Sequence, residues 1–281
     1  MSDFELDTRL ERIDENRFRA TFSRDWEIWG PSGGYVASIA LRAAGQIAKV
    51  QRPASFSGHF LAVGRFETVD VEVRTLRAGR RAESFAVSIS QAGRPLFECL
   101  VRTAAKVPGL EHDVAEMPEK SRPDELKFIQ EVIEERLGEE AENSPFPFWS
   151  NFDVKPVWPE RFVLGARQAH DPIFHEWYRF APRACFEDPF LDAARSLMMI
   201  DTASWIAACQ PHPDGAFIAP NLDVTAWFHR AEPKTEWLLV DSRCNLAEAG
   251  LMGTDSRIWS ESGKLLATGG AQLFCVPQPT G

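Results

Sequence analysis

Strict alternation of apolar and polar residues over Thr68-Val69-Asp70-Val71-Glu72-Val73-Arg74 predicts a strand with one buried face. This segment belongs to a run at residues 67–76, and similar runs at 55–61, 83–90 and 94–105 complete a set of four. Ahead of them the period changes. Between residues 35 and 49, Val36, Ala37, Ile39, Ala40, Leu41, Ala43, Ala44 and Ile47 cover most of the circumference of a helix, which is therefore predicted to be enclosed. A glycine-rich approach, Gly30-Pro31-Ser32-Gly33-Gly34, leads into it. A hairpin, residues 10–13 and 18–22 about Asp14-Glu15-Asn16, opens the chain.

The same order recurs later. After an extended run, Ile173–Phe180, Asp188-Pro189 signals a helix start. An apolar helix at 190–209 follows, then strand-like runs at 217–228, 237–245, 253–259 and 265–276. Gly34, Phe60 and Gly93 are separated by successive intervals of 26 and 33 residues, and Asp201, Phe228 and Gly263 by 27 and 35. The turns also match, Ala92-Gly93-Arg94-Pro95-Leu96 against Ser262-Gly263-Lys264-Leu265-Leu266. A duplicated unit predicts two copies packed together with a shared site between them. A long helix against antiparallel strands in each copy makes the class α+β. Residues 1–107 read as the first copy, 108–159 as a linker and 160–281 as the second. Glu131, Glu134, Glu135, Glu139, Glu140 and Glu142 make the linker read as solvent-facing, with a helix at 124–137. Its Pro-, Phe- and Trp-rich end, 144–159, reads either as a cover over the seam or as a packed irregular loop.

Composition narrows the function. With 281 residues and a net charge of -10, the chain has room for a large core and lacks the cationic surface that nucleic acid requires. No apolar run approaches the roughly 18 residues of a membrane span, and Met1-Ser2-Asp3-Phe4-Glu5 is acidic, without the basic-then-apolar order expected of a signal peptide. Five cysteines without a CxxC pair read as reduced thiols, and six scattered histidines lack zinc spacing. These observations predict a cytoplasmic globular protein without metal or cofactor.

The two copies differ where chemistry is concerned. Asp201 is a carboxylate in an otherwise apolar stretch, and the matching position in the first copy is Gly34. A buried Asp is either a base with a raised pKa or an ion-paired structural group. Gly33-Gly34 either makes the tight turn into the helix or exposes backbone N–H groups to a substrate. His59 and His229, among apolar strand residues, read as structural, and Met198, Met199 and Trp205 read first as core.

With these residues in view, the chain resembles the type II acyl-CoA thioesterases, whose double hotdog fold wraps a curved antiparallel sheet around one long helix in each half. The resemblance rests on Gly33-Gly34, Ser55-Phe56-Ser57-Gly58-His59-Phe60-Leu61, Arg74-Thr75-Leu76-Arg77-Ala78-Gly79 and Gly93-Arg94-Pro95-Leu96-Phe97 in the first half. In the second half it rests on Asp201, Leu222-Asp223 and Trp227-Phe228-His229-Arg230. Members of the family hold and activate a water with an Asp, a Thr and a Gln. The Asp falls on Asp201. The Thr position, six residues before Trp227, holds Asn221, whose amide can also hydrogen-bond a water. The Gln position, eight residues after Gly263, holds Ala271, with Gln272 one place late; a bulge at Gly269-Gly270 is expected to restore its orientation.

The resemblance implies hydrolysis of an acyl-CoA to free acid and coenzyme A, within fatty acid metabolism. Asp201 acts with Asn221 and Gln272, and Gly33 and Gly34 line the substrate. Arg230, Arg80 and Arg81 are the candidates to meet the phosphates of coenzyme A. A homo-oligomer is implied, with no nucleic acid and no membrane insertion. Two alternatives stand beside it: an acyl-CoA-binding protein without turnover, and a hotdog enoyl-CoA hydratase, faintly echoed in Asp171-Pro172-Ile173-Phe174-His175.

Overall fold

The computed structural model describes residues 2–138, 146–161, 168–213 and 217–277. A one-turn helix α1 (Phe4–Asp7) and strands β1 (Glu11–Arg12) and β2 (Arg17–Thr21) precede the enclosed helix α2 (Gly33–Ile47). Four strands follow: β3 (Pro53–Phe60), β4 (Thr68–Ala78), β5 (Ala82–Gln91) and β6 (Arg94–Ala104). The second half holds α3 (Ile129–Leu137), β7 (Phe152–Pro156), β8 (Ile173–Phe180) and the long helix α4 (Pro189–Cys209). It ends with β9 (Phe217–Ile218), β10 (Asp223–Phe228), β11 (Trp237–Glu248), β12 (Leu251–Ser260), β13 (Leu265–Gly270), β14 (Gln272–Phe274) and β15 (Val276–Pro277).

One antiparallel sheet runs β1-β2-β4-β5-β6-β3-β10-β13-β12-β11-β8-β7, with β14 also on β12 and β9 paired separately with β15. Both helices pack on its concave face, the arrangement expected of two hotdogs side by side. The halves join where β3 pairs with β10, Ser57 opposite Thr225. Equivalent backbone bonds recur on either side of that pair. The N–H groups of Leu61 and Ala62 both donate to the Leu96 carbonyl, and those of His229 and Arg230 both donate to the Leu266 carbonyl. Gly93 and Gly263 both have φ of +79° in matching hairpin turns, a conformation that favours glycine.

The helices are antiparallel and close because glycines on α2 face α4. A Cβ at Gly34 would lie 2.8 Å from the Met198 Cα, and one at Gly45 would lie 2.6 Å from the Phe190 ring. Ser38, one turn from Gly34, is fully buried and returns its hydroxyl to the Gly34 carbonyl at 2.6 Å. The start of α4 is fixed by Asp188, whose carboxylate accepts the N–H groups of Phe190 and Leu191, with Pro189 in the first turn.

The stretch read as a solvent-facing linker differs from that expectation. Met117, Leu126 and Phe128 pack over Trp177, Trp237, Leu239 and Trp259 on the convex side of the second half, and the Trp177 Nε1–H donates to the Ser121 carbonyl at 3.0 Å. The physical reason lies in those three tryptophans, which would otherwise leave a broad apolar patch in water. Of the glutamates, Glu131, Glu134 and Glu135 are exposed on α3, while Glu139, Glu140 and Glu142 lie outside the described residues. Phe148 and Phe152 cover the seam, contacting Trp26 of the first half, and Phe152 also meets Tyr178 and Phe180 of the second.

The helix contact yields a stability test. Gly34→Ala forces a methyl against the α4 backbone and is expected to cost about 1–3 kcal/mol in urea unfolding. Gly253→Ala, where a Cβ meets nothing within 4 Å, is expected to change stability by no more than about 0.5 kcal/mol. Equal effects would contradict the close-packing account.

Candidate active site

Asp201 sits in the middle of α4, 6% exposed, and its carboxylate is held from two directions. The backbone N–H of Gly34, in the first turn of α2, donates to Oδ2 at 2.6 Å. The Asn221 amide donates to Oδ1 at 2.6 Å and to the Asp201 carbonyl at 3.0 Å. Ser32, which precedes α2, makes no side-chain cap, so the carboxylate of one half serves as the acceptor at the helix start of the other. Both acceptors require NH2, which fixes the orientation of the Asn221 amide and leaves its oxygen directed elsewhere.

Burial pushes the Asp201 pKa up to about 6, and the bonds from Asn221 and Gly34 keep it from rising further. At neutral pH the group is therefore ionised yet basic enough to take a proton from water. Gly33 is required beside it. A Cβ there would lie 2.8 Å from Asp201 Oδ1 and 2.8 Å from the Phe60 ring, in the space a reacting group needs.

Asn221 owes its position to strands on both sides. It bridges to Leu273, while the following Leu222 receives its N–H partner in the Gln272 carbonyl and accepts the Phe60 N–H. Asp201, Asn221, Gly33 and Gly34 are thus brought together, from α4, the approach to β10 and the start of α2.

Gln272 is placed differently from the expectation. The bulge anticipated at Gly269-Gly270 does not form: Ser256 pairs with Gly269 and Gly253 with Gln272, so the register against β12 continues unbroken. Alternation then puts Ala271 and Leu273 on the buried side and Gln272 on the exposed side, beside Asp223, whose Oδ1 accepts its backbone N–H. In the buried space by Ala271 lie two hydroxyls that sequence reading passed over. Thr254 Oγ1 bonds Ser204 Oγ at 2.7 Å and accepts the Ala271 N–H at 3.2 Å. Ser32 was also missed. Its hydroxyl is buried without a partner among the described residues, and a serine ahead of Gly-Gly at a helix start was the available signal.

The three arginines lie away from these contacts. Arg230 pairs with Asp113 at 2.7 Å, and Arg80 and Arg81 are exposed at the β4–β5 turn, where the Arg81 carbonyl accepts the Ala105 N–H. Met198 and Met199 are fully enclosed in the core, Met198 against Gly34. His175 bonds Asp241 rather than Asp171, at 2.9 Å on the convex side of the sheet beneath Trp158. Among the described residues no helix is long and apolar enough to cross a membrane, and no three metal-ligating side chains converge.

The raised pKa has a thermodynamic consequence. Asp201 holds its proton more tightly when folded (about 6) than at its ordinary 3.8, so between these values the folded protein binds more protons and stability falls as pH rises. The full effect is about 3 kcal/mol. Urea unfolding at about pH 4 and about pH 7.5 is expected to show wild type losing most of that, about 2 kcal/mol more stability than Asp201→Asn. Parallel pH dependence in the two proteins would contradict the buried, ionised carboxylate.

Comparison with known proteins bears on the family and the fold. The N-terminal domain profile of the acyl-CoA thioesterase family matches residues 22–105, and its C-terminal domain profile matches residues 117–276. The chain is 27% identical over 272 residues to acyl-CoA thioesterase 2 of Haemophilus influenzae, covering 92% of each chain. It is 24% identical to human acyl-coenzyme A thioesterase 8, covering 92% of this chain and 84% of that one. Among solved structures it is similar to a hot dog fold protein of unknown function from Alicyclobacillus acidocaldarius, with a TM-score of 0.80, 19% identity and 98% of each chain covered. A Mycobacterium marinum acyl-CoA thioesterase II matches with a TM-score of 0.79 and 22% identity over 99% of each chain. Two domain profiles in tandem order over most of its length place this chain in the acyl-CoA thioesterase family.

Proposed function

We propose that this protein hydrolyses the thioester of an acyl-CoA to a free carboxylic acid and coenzyme A, using water activated by Asp201. The observation that carries the reading is the buried carboxylate anchored across the two halves, at the glycine-lined start of α2. The names of the relatives support the same chemistry.

A thioester needs no protein nucleophile. Asp201 takes a proton from a water as the water oxygen attacks the thioester carbon; the C–S bond then breaks and the sulfur leaves, taking up a proton as coenzyme A thiol. Asn221 holds the carboxylate in one rotamer, and its free amide oxygen is an acceptor for the same water. Gly34 N–H is committed to Asp201, so the oxyanion falls to Gly33 N–H and the positive end of α2. Gln272, exposed on the other side of β14, has no part in these steps. A second reading, binding of acyl-CoA without turnover, is favoured by one observation: Ala271 stands where the family has its Gln.

Thiol release from acyl-CoAs of graded length separates the readings. Wild type is expected to turn over, with kcat/KM rising with pH to a plateau about a midpoint near 6, the pKa of the base. Asp201→Asn is expected to lower kcat/KM by about 100-fold or more, and Gln272→Ala to change it by less than about threefold. No release from any acyl-CoA would favour the binding protein, and a large loss in Gln272→Ala would return that residue to the mechanism.

A further inference from the structure

The pseudo-two-fold relation of the halves gives the catalytic site a counterpart. It passes between Ser57 and Thr225, and it exchanges Phe60 with Phe228, Leu61 and Ala62 with His229 and Arg230, and Asn221 with Pro53. At the counterpart position the protein has a cavity of about 410 Å³, lined from the first half by Arg52, Pro53 and Lys106 and from the second by Phe228, His229 and Arg230. Its chemistry has diverged. Gly34 and Pro53 are the equivalents of Asp201 and Asn221, so neither the catalytic carboxylate nor its amide partner is repeated on this side.

The rim has changed in the opposite sense. Around the catalytic position the equivalent residues are apolar, Leu61 being 52% exposed and Ala62 half-buried. Around the cavity they are His229 and Arg230. The two lining carboxylates are already neutralised, Asp192 by Arg195 and Glu232 by Lys264. Arg52 and Lys106 have no carboxylate partner among the described residues. Ala105, next to Lys106, donates its N–H to the Arg81 carbonyl, which brings the Arg80–Arg81 turn to the same end of the sheet. Free cations gathered over an apolar floor, on a chain of net charge -10, mark a place for a phosphate-bearing ligand with an apolar or amide arm.

We propose that this cavity is a second, non-hydrolytic site for the coenzyme A moiety, with Arg52 and Lys106 on the phosphates and Phe228, Pro53 and Leu266 beneath the pantetheine arm. The proposal rests on the thioesterase reading of the first site. It makes the duplicated half a sensor of substrate or product rather than a silent copy.

The test is calorimetric titration with S-octyl-coenzyme A, a thioether that cannot be hydrolysed, on wild type and on Arg52→Glu/Lys106→Glu. Wild type is expected to bind two equivalents per chain. The double variant is expected to keep one event unchanged and to weaken the other by about tenfold or more, while Arg52→Lys/Lys106→Arg retains both. An unaltered urea unfolding curve shows that the charge-reversed protein is folded. A single equivalent in wild type would overturn the proposal, as would two equivalents unaffected by charge reversal. Loss of all binding in the folded double variant would also overturn it, by making the cavity part of the catalytic site. Failure of the thioesterase reading is seen separately, as absence of thiol release from every acyl-CoA.

Discussion

The bond from the Gly34 N–H to the Asp201 carboxylate is the constraint around which the rest of the molecule is arranged. An isolated ionised carboxylate inside a protein carries a desolvation cost of several kcal/mol. Here the cost is offset by hydrogen bonds from Gly34 and Asn221 and by the positive end of α2. Each of these requires something further. Gly34 must lie against the α4 backbone with no side chain of its own, Gly33 must leave room over the carboxylate, and Asn221 must be pinned between β14 and β3. The site therefore belongs to neither half alone.

Duplication explains why such a site arises between halves and why the halves need not remain alike. Antiparallel pairing of β3 with β10 makes one continuous sheet, and the two helices it cradles meet at residues that correspond, Gly34 and Asp201. One position was free to become a carboxylate while its counterpart became a helix start without a side chain. The same freedom acts on the rims, where Leu61 and Ala62 face one side and His229 and Arg230 the other.

Much of this was legible in the sequence, for identifiable reasons. β4 shows its buried side through alternation, and the two enclosed helices show themselves by apolar residues around most of their circumference; local periodicity reports burial directly. The repeat spacing places Gly34 and Asp201 in correspondence, and their contact follows from the packing of the copies. Gln272 was not legible, because its direction depends on whether β13 and β14 keep one register against β12, a property of the pairing rather than of Gly269-Gly270. The layer over Trp177, Trp237 and Trp259 was hidden for a related reason. A charged segment reads as solvated until the apolar surface beneath it is known. The hydroxyls of Thr254 and Ser204 are distant in sequence and meet only in the fold.

The central claim is that Asp201 acts on water and does not itself attack the thioester. Its carboxylate is bonded at both oxygens, which fixes its orientation and lowers its nucleophilicity while leaving it able to accept a proton. A single turnover in 18O-labelled water, with enzyme in excess over acyl-CoA, separates direct attack from an anhydride that water opens at the Asp201 carbonyl. Direct attack by water places one 18O atom in the released acid at the first turnover and leaves Asp201 unlabelled, the result this account predicts. Unlabelled acid, with the 18O recovered in the Asp201 carboxylate by mass spectrometry, would establish an acyl-enzyme anhydride and contradict it.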